Sequence, residues 1–195
     1  MDIKTLIFSI LILIIVMFSG MQILDFVKKS FYDGEFSINN SKEVIVKLKI
    51  GEFANNSKVN ITVEDVMIVD TLKGNMGYRK IKNNETFVIV KIKAKNLQDK
   101  KPYQISNMDF TLLDENGKSY DAEMNVLDIK NALVIEAIPP KKSYEGYIIY
   151  KVPKDIKVIK IEYDFKNLNN LFDNYKAIWE VNVSDIPHLK YLSLS

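Results

Sequence analysis

The segment "FVIVKIKAK" at residues 87–95 alternates apolar and lysine side chains, and this alternation decides the fold class. Every even-numbered residue from Val88 to Ala94 is apolar, whereas lysine occupies positions 91, 93 and 95. Because successive side chains of a β-strand point to opposite faces, a period of two predicts a strand with one buried and one solvated face. The lysine row therefore indicates a solvated strand face rather than a polyanion-binding site.

The same period of two recurs between residues 44 and 183. Five further segments carry it: "VIVKLKI" (44–50), "KVNITVEDVMIVD" (58–70), "YEGYIIYKVP" (144–153), "IKVIKIEYDF" (156–165) and "AIWEVNV" (177–183). In the second of these the apolar phase slips at Glu64 and Asp65, which predicts a β-bulge or a change of sheet. About eight or nine short strands without a long amphipathic helix predict an all-β, antiparallel β-sandwich. One helical turn is expected at residues 168–175.

The polar run "DENG" at residues 114–117 separates two alternating segments and is either a turn or part of a cation site. Asn-Gly is the strongest short hairpin signal, because a type I′ turn needs positive φ at both central residues. A calcium loop of EF-hand type needs a glutamate at its twelfth position, which is Asn125 here. We predict a structural hairpin turn at Asn116 and Gly117, with weak calcium binding near Asp114 as the alternative.

The first part of the chain is predicted to hold the protein in a membrane. Residues 5–24 contain no charged side chain, and a helix of that length spans the roughly 30 Å hydrocarbon core. We predict a short N-terminal tail at 1–4, a transmembrane signal-anchor helix at 5–24 and a polar stalk at 25–43. The sandwich domain then occupies 44–185 and a C-terminal tail 186–195. A cleaved signal peptide is the alternative, although no A-x-A-like cleavage site is present.

Asparagine sequons indicate which side of the membrane the domain faces. Lysine bias on the two sides of the helix is nearly balanced and does not decide the orientation. N-x-[ST] sequons are acceptors only on the exported side, which predicts a single-pass protein of the cell membrane with an extracytoplasmic C-terminal domain. The candidate N-glycosylation residues are Asn39, Asn55, Asn60, Asn84 and Asn182.

The composition removes most catalytic and cofactor chemistry. The chain has no cysteine, which excludes disulfides, thiolate metal sites and thiol nucleophiles. The single histidine, His188, has no second histidine to share a metal, and neither a G-x-S-x-G elbow nor a phosphate-binding glycine motif occurs. A net charge of +2 with one arginine, Arg79, gives no basic footprint for nucleic acid. We therefore expect no enzyme, catalytic residue, metal, cofactor, nucleotide or nucleic-acid partner.

Four patches carry a resemblance to a known family. They are "KLKIGEF" (47–53), "FVIVKIKAKNLQDKKPYQIS" (87–106), "MDFTLLDENGKSYDAEM" (108–124) and "IPPKKSYEGYIIYKVPKD" (138–155). The third resembles an F-x-L-x-D-x-x-G-x-x-Y hairpin on Phe110, Leu112, Asp114, Gly117 and Tyr120. The fourth resembles a P-G-x-S-x-x-G-x-V-x-F-x-V-P segment on Pro140, Ser143, Gly146, Val152 and Pro153, with Lys141 and Tyr150 departing from it.

With these patches, residues 44–183 resemble a telokin-like, immunoglobulin-type family of secreted bacterial and archaeal proteins, which is related to immunoprotective extracellular antigens. The resemblance implies an immunoglobulin-like β-sandwich and no assigned activity. Many members are attached through a lipidated cysteine, a role that falls here to the N-terminal helix.

The function expected from the sequence is a non-catalytic binding module at the cell surface. Such a sandwich engages a protein or glycan partner through strand edges or loops. One alternative is a structural subunit of an envelope or surface-layer assembly, and another is a secreted protein after signal-peptide cleavage. An extracellular hydrolase or metal-dependent enzyme finds no supporting residue constellation in the sequence.

Overall fold

The computed structural model describes residues 44–81, 84–126, 128–165 and 175–194, and these residues form an all-β domain. Two single-turn 3-10 helices, Asn107–Asp109 and Val183–Asp185, interrupt the strands. The strands are β1 Val44–Leu48, β2 Phe53–Asn55, β3 Val59–Val69, β4 Thr71–Gly74, β5 Gly77–Lys80, β6 Glu85–Asn96, β7 Tyr103–Ser106, β8 Phe110–Leu113, β9 Ser119–Tyr120, β10 Ile135–Ile138, β11 Ser143–Pro153, β12 Val158–Asp164, β13 Tyr175–Asn182, β14 His188–Leu189 and β15 Leu192–Ser193.

Two sheets form the sandwich. The first sheet has the order β1-β13-β12-β8-β9, and the second has the order β11-β6-β3-β14, with β2 also paired to β3. Neighbours are antiparallel except for the parallel pairs β1–β13 and β14–β3. One main core contains side chains from both sheets, such as Ile61 and Val90 from the second sheet and Ile161 and Trp179 from the first. Two smaller sheets have the orders β15-β4-β5 and β10-β7.

The alternation that predicts the fold is confirmed in β6. Val88, Val90, Ile92 and Ala94 are buried in the main core, and the lysines of the strand lie on the other face. The predicted irregularity in β3 is also confirmed, because the register with β6 shifts between Val63 and Asp65. The shift keeps apolar side chains on the core face on both sides of the bulge.

A second apolar core, which the period of two does not predict, lies on the opposite face of the second sheet. The period of two leaves Phe87 and Ile89 on the solvated face of β6, yet both are buried. They pack with Leu72 of β4, Ile149 of β11 and Val126. The first half of β6 is therefore covered on both faces, which turns an alternating pattern into the near-continuous burial seen from Thr86 to Val90.

The C-terminal segment expected as a tail at 186–195 is part of the domain over residues 186–194. It carries β14, which pairs with β3, and β15, which pairs with β4. Ile186 is buried in the main core, and three leucines pack against the second core: Leu189, Leu192 and Leu194. The described residues form fifteen strands, compared with the expected eight or nine, because several pieces of two to four residues are too short to show a period.

Several sequence predictions lie outside the described residues. These are the tail at 1–4, the signal-anchor helix at 5–24, the stalk at 25–43 and the helical turn at 168–175, except that Tyr175 begins β13. Within the described ranges no helix is long and apolar enough to cross a membrane.

Candidate functional site

The run at residues 114–117 connects β8 to β9, which pair in register through Leu113 and Ser119. The backbone N–H of Gly117 donates to the carbonyl oxygen of Asp114 at 3.1 Å, and the N–H of Asp114 donates to the carbonyl of Lys118 at 3.1 Å. Gly117 has φ 79°, whereas Asn116 is not among the residues with positive φ. The connection therefore differs from the expected type I′ turn and matches a three-residue loop, a tight turn followed by a left-handed glycine.

The Asp114 carboxylate organises this hairpin from within. Its Oδ1 accepts the backbone N–H groups of Asn116 at 2.8 Å and Lys118 at 2.9 Å, and its Oδ2 accepts the Tyr120 hydroxyl at 3.1 Å. Burial raises the pKa of Asp114, but these hydrogen bonds outweigh it and hold that pKa below its ordinary value. Burial and the Asp114 charge raise the pKa of Tyr120 to about 12.

The two carboxylates of the hairpin, Asp114 and Glu115, accept hydrogen bonds from different parts of the chain. The Glu115 side chain accepts the backbone N–H of Lys157 at 3.1 Å, which directs it toward the turn before β12. Across the described residues no group of three or more histidine, aspartate or glutamate side chains converges on one point. Asp114 thus has a structural role in the turn, with its oxygens already accepting three donors.

The candidate glycosylation residues occupy different environments. Asn55, Asn84 and Asn182 are exposed, and Asn39 lies outside the described residues. Asn60 is half-buried in β3, between Asn55 of β2 and Lys95 of β6, and its Oδ1 is buried with no hydrogen-bond partner among the described residues. The three exposed positions are therefore better placed to accept a sugar than Asn60.

His188 is exposed on β14 and lies beside one acid. Its Nε2 is 3.3 Å from Oδ1 of Asp70, and Lys154 Nζ is 3.5 Å from the same oxygen. Burial raises the pKa of Asp70, whereas hydrogen bonding and charge from His188 and Lys154 lower it, with a lowered value as the result. Because Asp70 follows β3 directly, the pair joins the C-terminal segment to the second sheet.

A concave surface lies beside β5, and we call it the β5 cavity. Its volume is about 460 Å³. Its floor is formed by apolar residues that also belong to the second core: Leu72, Phe87, Val126 and Ile149. Its walls carry two ion pairs, Arg79 with Asp128 and Lys151 with Glu123, the latter at 2.9 Å.

Arg79 and Asp128 fix the wall of the β5 cavity in place. The Arg79 guanidinium donates to Oδ1 of Asp128 and to the backbone carbonyl of Asn125. The Asp128 side chain is only 4% exposed, so the acid of the pair is shielded from solvent, whereas the Arg79 side chain is 27% exposed. The backbone N–H of Asn75 also donates to the carbonyl of Asp128 at 2.8 Å. The β4–β5 hairpin and the loop around residue 128 are thereby held together by three hydrogen bonds.

The rim of the β5 cavity exposes large side chains. Met76 is 84% exposed and Tyr78 is 64% exposed. The Tyr78 ring lies 5.8 Å from that of Tyr191, at 42°, and Lys73 Nζ lies 5.6 Å from the Tyr78 ring centre. These contacts orient the tyrosine without removing it from solvent. Sequence analysis missed this site, although the single arginine of the chain and the Gly-Asn-Met-Gly turn between β4 and β5 mark it.

Two sheets around a common core, with exposed sites on loops and edges, define a β-sandwich domain. The chain belongs to the family described as Domain of unknown function (DUF4352), whose model matches residues 48–176. The immunoglobulin-type resemblance is consistent with this membership. No curated protein matches the sequence.

Two solved structures from Bacillus subtilis, ycdA and yjhA, share the fold. The ycdA protein of Bacillus subtilis is similar with 17% identity and a TM-score of 0.52, over 71% of this chain and 40% of that chain. The yjhA protein of Bacillus subtilis is similar with 21% identity and a TM-score of 0.52, over 74% of this chain and 99% of that one. MPT63, a secreted protein of Mycobacterium tuberculosis, has 14% identity and a TM-score of 0.41, over 70% and 97% of the two chains.

Proposed function

We propose that the protein is a non-catalytic binding module that presents the β5 cavity to a protein partner outside the cell or at its surface. The observation that carries this proposal is the pairing of a rigid wall with an exposed rim. Arg79 is held by Asp128 and Asn125, while Met76 and Tyr78 project into solvent on the same hairpin. Binding residues are commonly carried by loops that a rigid scaffold positions.

The residue types on the rim favour a protein partner. Tyrosine, methionine and arginine are enriched at protein interfaces, and the residues that dominate binding energy are often tyrosine or arginine. Methionine adapts its shape to different apolar surfaces. The apolar floor accommodates a bulky apolar side chain of the partner, and Lys80 at the rim favours a neighbouring carboxylate.

We also propose that residues 5–24 anchor the domain as a single membrane span with the sandwich on the exported side. This location is supported by the length of the segment, by its lack of charged side chains and by the sequons that follow it. The ycdA protein, which shares the fold, is provisionally described as a lipoprotein. A structural subunit of an envelope or surface-layer assembly, and a secreted form after cleavage, are the alternatives.

Position-specific photocrosslinking in intact cells tests the binding role. A photoreactive amino acid at position 76 of the full-length protein is compared with one at position 108, since Met76 and Met108 are both exposed methionines. We expect a discrete protein adduct from position 76 only, and its loss when Tyr78→Ala is added. Equal adducts from both positions, or an adduct that survives Tyr78→Ala, would contradict the proposal. If no protein adduct forms and purified envelope saccharides bind in a way that depends on Tyr78, the partner is a glycan and not a protein.

The intact mass of the native protein isolated from membranes tests the proposed membrane anchor and the side on which the domain lies. Full length with added sugar supports an anchored, outward-facing domain. A mass lacking about the first twenty residues favours the secreted alternative. Full length without sugar requires protease treatment of intact cells, in which an outward-facing domain is digested and an inward-facing domain is protected.

A further inference from the structure

The outer edge of β1 is open in the described structure. β1 pairs only with β13, on its inner side, and no strand of the described residues pairs with its other side. An open edge presents backbone N–H and C=O groups that an additional strand can use. The five residues Val44–Leu48 contain no proline, glycine or bulge that would prevent such pairing.

The other long edge of the sandwich is covered, which makes β1 distinctive. β11 lies at the edge of the second sheet, but its outer side is bonded to loop residues. The N–H of Tyr147 donates to the carbonyl of Asn131 at 2.9 Å, and the Tyr147 carbonyl accepts the N–H of Leu133 at 2.8 Å. The Ile149 carbonyl accepts the N–H of Glu123 at 2.8 Å. At the far edge of the first sheet, β9 has only two residues. Among the sandwich edges described, β1 thus offers the longest open one.

The side chains of β1 form two rows with different chemistry. On the core side, Leu48 packs against the main core, while Val44 at the start of the same row is 49% exposed. On the outer side, Ile45 is 48% exposed and Lys47 follows it. An added strand would cover the apolar row with its own apolar side chains and place alternate side chains beside Lys47.

The lysines at and after the end of β1 favour an added strand that carries acidic side chains. In the described residues neither Lys47 nor Lys49 forms an ion pair, so both are open to an acidic neighbour. Within the part of the chain that the structure describes, three acids lie near these lysines without an ion pair to them: the Glu52 carboxylate accepts only the backbone N–H of Lys49, at 2.7 Å, Glu180 lies 3.9 Å from Lys160 Nζ, and Asp185 accepts from Asn182 at 3.2 Å. An acidic residue on the outer side of the added strand would complete a cross-strand ion pair.

We propose that the outer edge of β1 receives an extended segment of a partner protein that alternates apolar and acidic side chains, as a sixth strand of the first sheet. A groove of about 630 Å³ at the end of β1 is lined by Leu48 and Ile50 and by charged residues of both signs, so it gives the segment room to continue without adding to the charge selection at Lys47. A second copy of this chain matches less well, because its own β1 brings another lysine to the interface instead of an acid.

The test measures the binding of two synthetic peptides to the full-length protein. One peptide is Thr-Val-Glu-Val-Glu-Val-Thr, and the other has lysine in place of both glutamates. We expect binding of the glutamate peptide and slower amide hydrogen exchange across residues 44–48 when it is present. Lys47→Glu is expected to weaken the glutamate peptide by roughly five-fold or more and to strengthen the lysine peptide. Lys100→Glu, on an exposed loop, changes the net charge equally and serves as the matched control.

The outcomes separate this proposal from the one for the β5 cavity. Tyr78→Ala is expected to leave peptide binding unchanged. The proposal for β1 and the proposal for the β5 cavity can therefore be contradicted independently of each other. Equal binding of both peptides, or equal effects of Lys47→Glu and Lys100→Glu, overturns the charge selection. Absence of protection at residues 44–48 overturns strand addition. A concentration-dependent dimer that Ile45→Lys abolishes would make the occupant a second copy.

Discussion

The indole N–H of Trp179 in β13 donates to the backbone carbonyl of Glu52 at 2.9 Å, a hydrogen bond between residues 127 positions apart. Trp179 is fully buried in the main core, and Glu52 precedes β2. The only tryptophan of the chain therefore contributes both apolar volume to the core and a polar link to the turn that connects the two sheets.

Trp179→Phe is expected to lower the free energy of unfolding by about 2 kcal/mol, because it removes core volume and leaves the Glu52 carbonyl without its donor. Urea denaturation followed by far-UV circular dichroism measures the change. Tyr78→Phe, at an exposed position, is the control and should stay within about 0.5 kcal/mol of the native protein. Equal stability of the two variants would contradict the role given to the indole.

Arg79→Met is expected to destabilise the protein by about 3 kcal/mol, because it leaves the shielded Asp128 carboxylate without its cation. Chemical denaturation of Arg79→Met, Asp128→Asn and the double variant forms a double-mutant cycle. The double variant should recover part of the loss, since the isolated charge is then removed. A loss below about 0.5 kcal/mol for Arg79→Met would show that the pair does not hold the wall of the β5 cavity.

The last two residues of the hairpin loop, Asn116 and Gly117, should respond differently to alanine. Gly117→Ala is expected to cost about 1 kcal/mol, because Gly117 has φ 79° and a Cβ is strained there. Asn116→Ala should stay within about 0.5 kcal/mol, since Asn116 has no positive φ. Thermal or urea unfolding of the two variants measures both values. Comparable losses of stability in the two variants would instead support the type I′ turn that the sequence predicts, in which both residues have positive φ.

The lowered pKa of Asp114 makes stability depend on pH in a defined direction. The pKa of this carboxyl in the folded protein lies below its ordinary value of 3.8. Its contribution is therefore fully present above that ordinary value and is lost as the pH falls through the lowered folded value. Tyr120→Phe removes one donor and should raise the pKa of Asp114, which carbon-detected NMR titration measures directly. The Asp114→Asn variant should lack this part of the acid dependence.

The predictable part of the fold follows from how far each local pattern extends. The long strands β3, β6 and β11 carry enough alternating residues to be recognised, and the slip near Asp65 marks the bulge. Strands β14 and β15 have two residues each and exist only through pairing with β3 and β4. No local pattern can predict such pairings.

The β5 cavity was missed for the same physical reason. Its central pair joins Arg79 and Asp128, which lie 49 residues apart and come together only when the second core forms. The exposure of Tyr78 also depends on the tertiary fold. From the sequence alone, a tyrosine on a strand is expected to pack against its neighbours. The hairpin at Asn116 and Gly117, by contrast, is encoded by adjacent residues, although its turn type is not.

The parallel pairs β1–β13, β3–β14 and β4–β15 join early parts of the chain to its last strands. During synthesis from the ribosome, β3 and β4 exist long before the residues that complete them. Such distant pairings slow folding and leave strand edges uncovered in the nascent chain. The domain therefore completes its fold only after residue 194 has been made, and until then the edges of β3 and β4 lack the late strands that cover them.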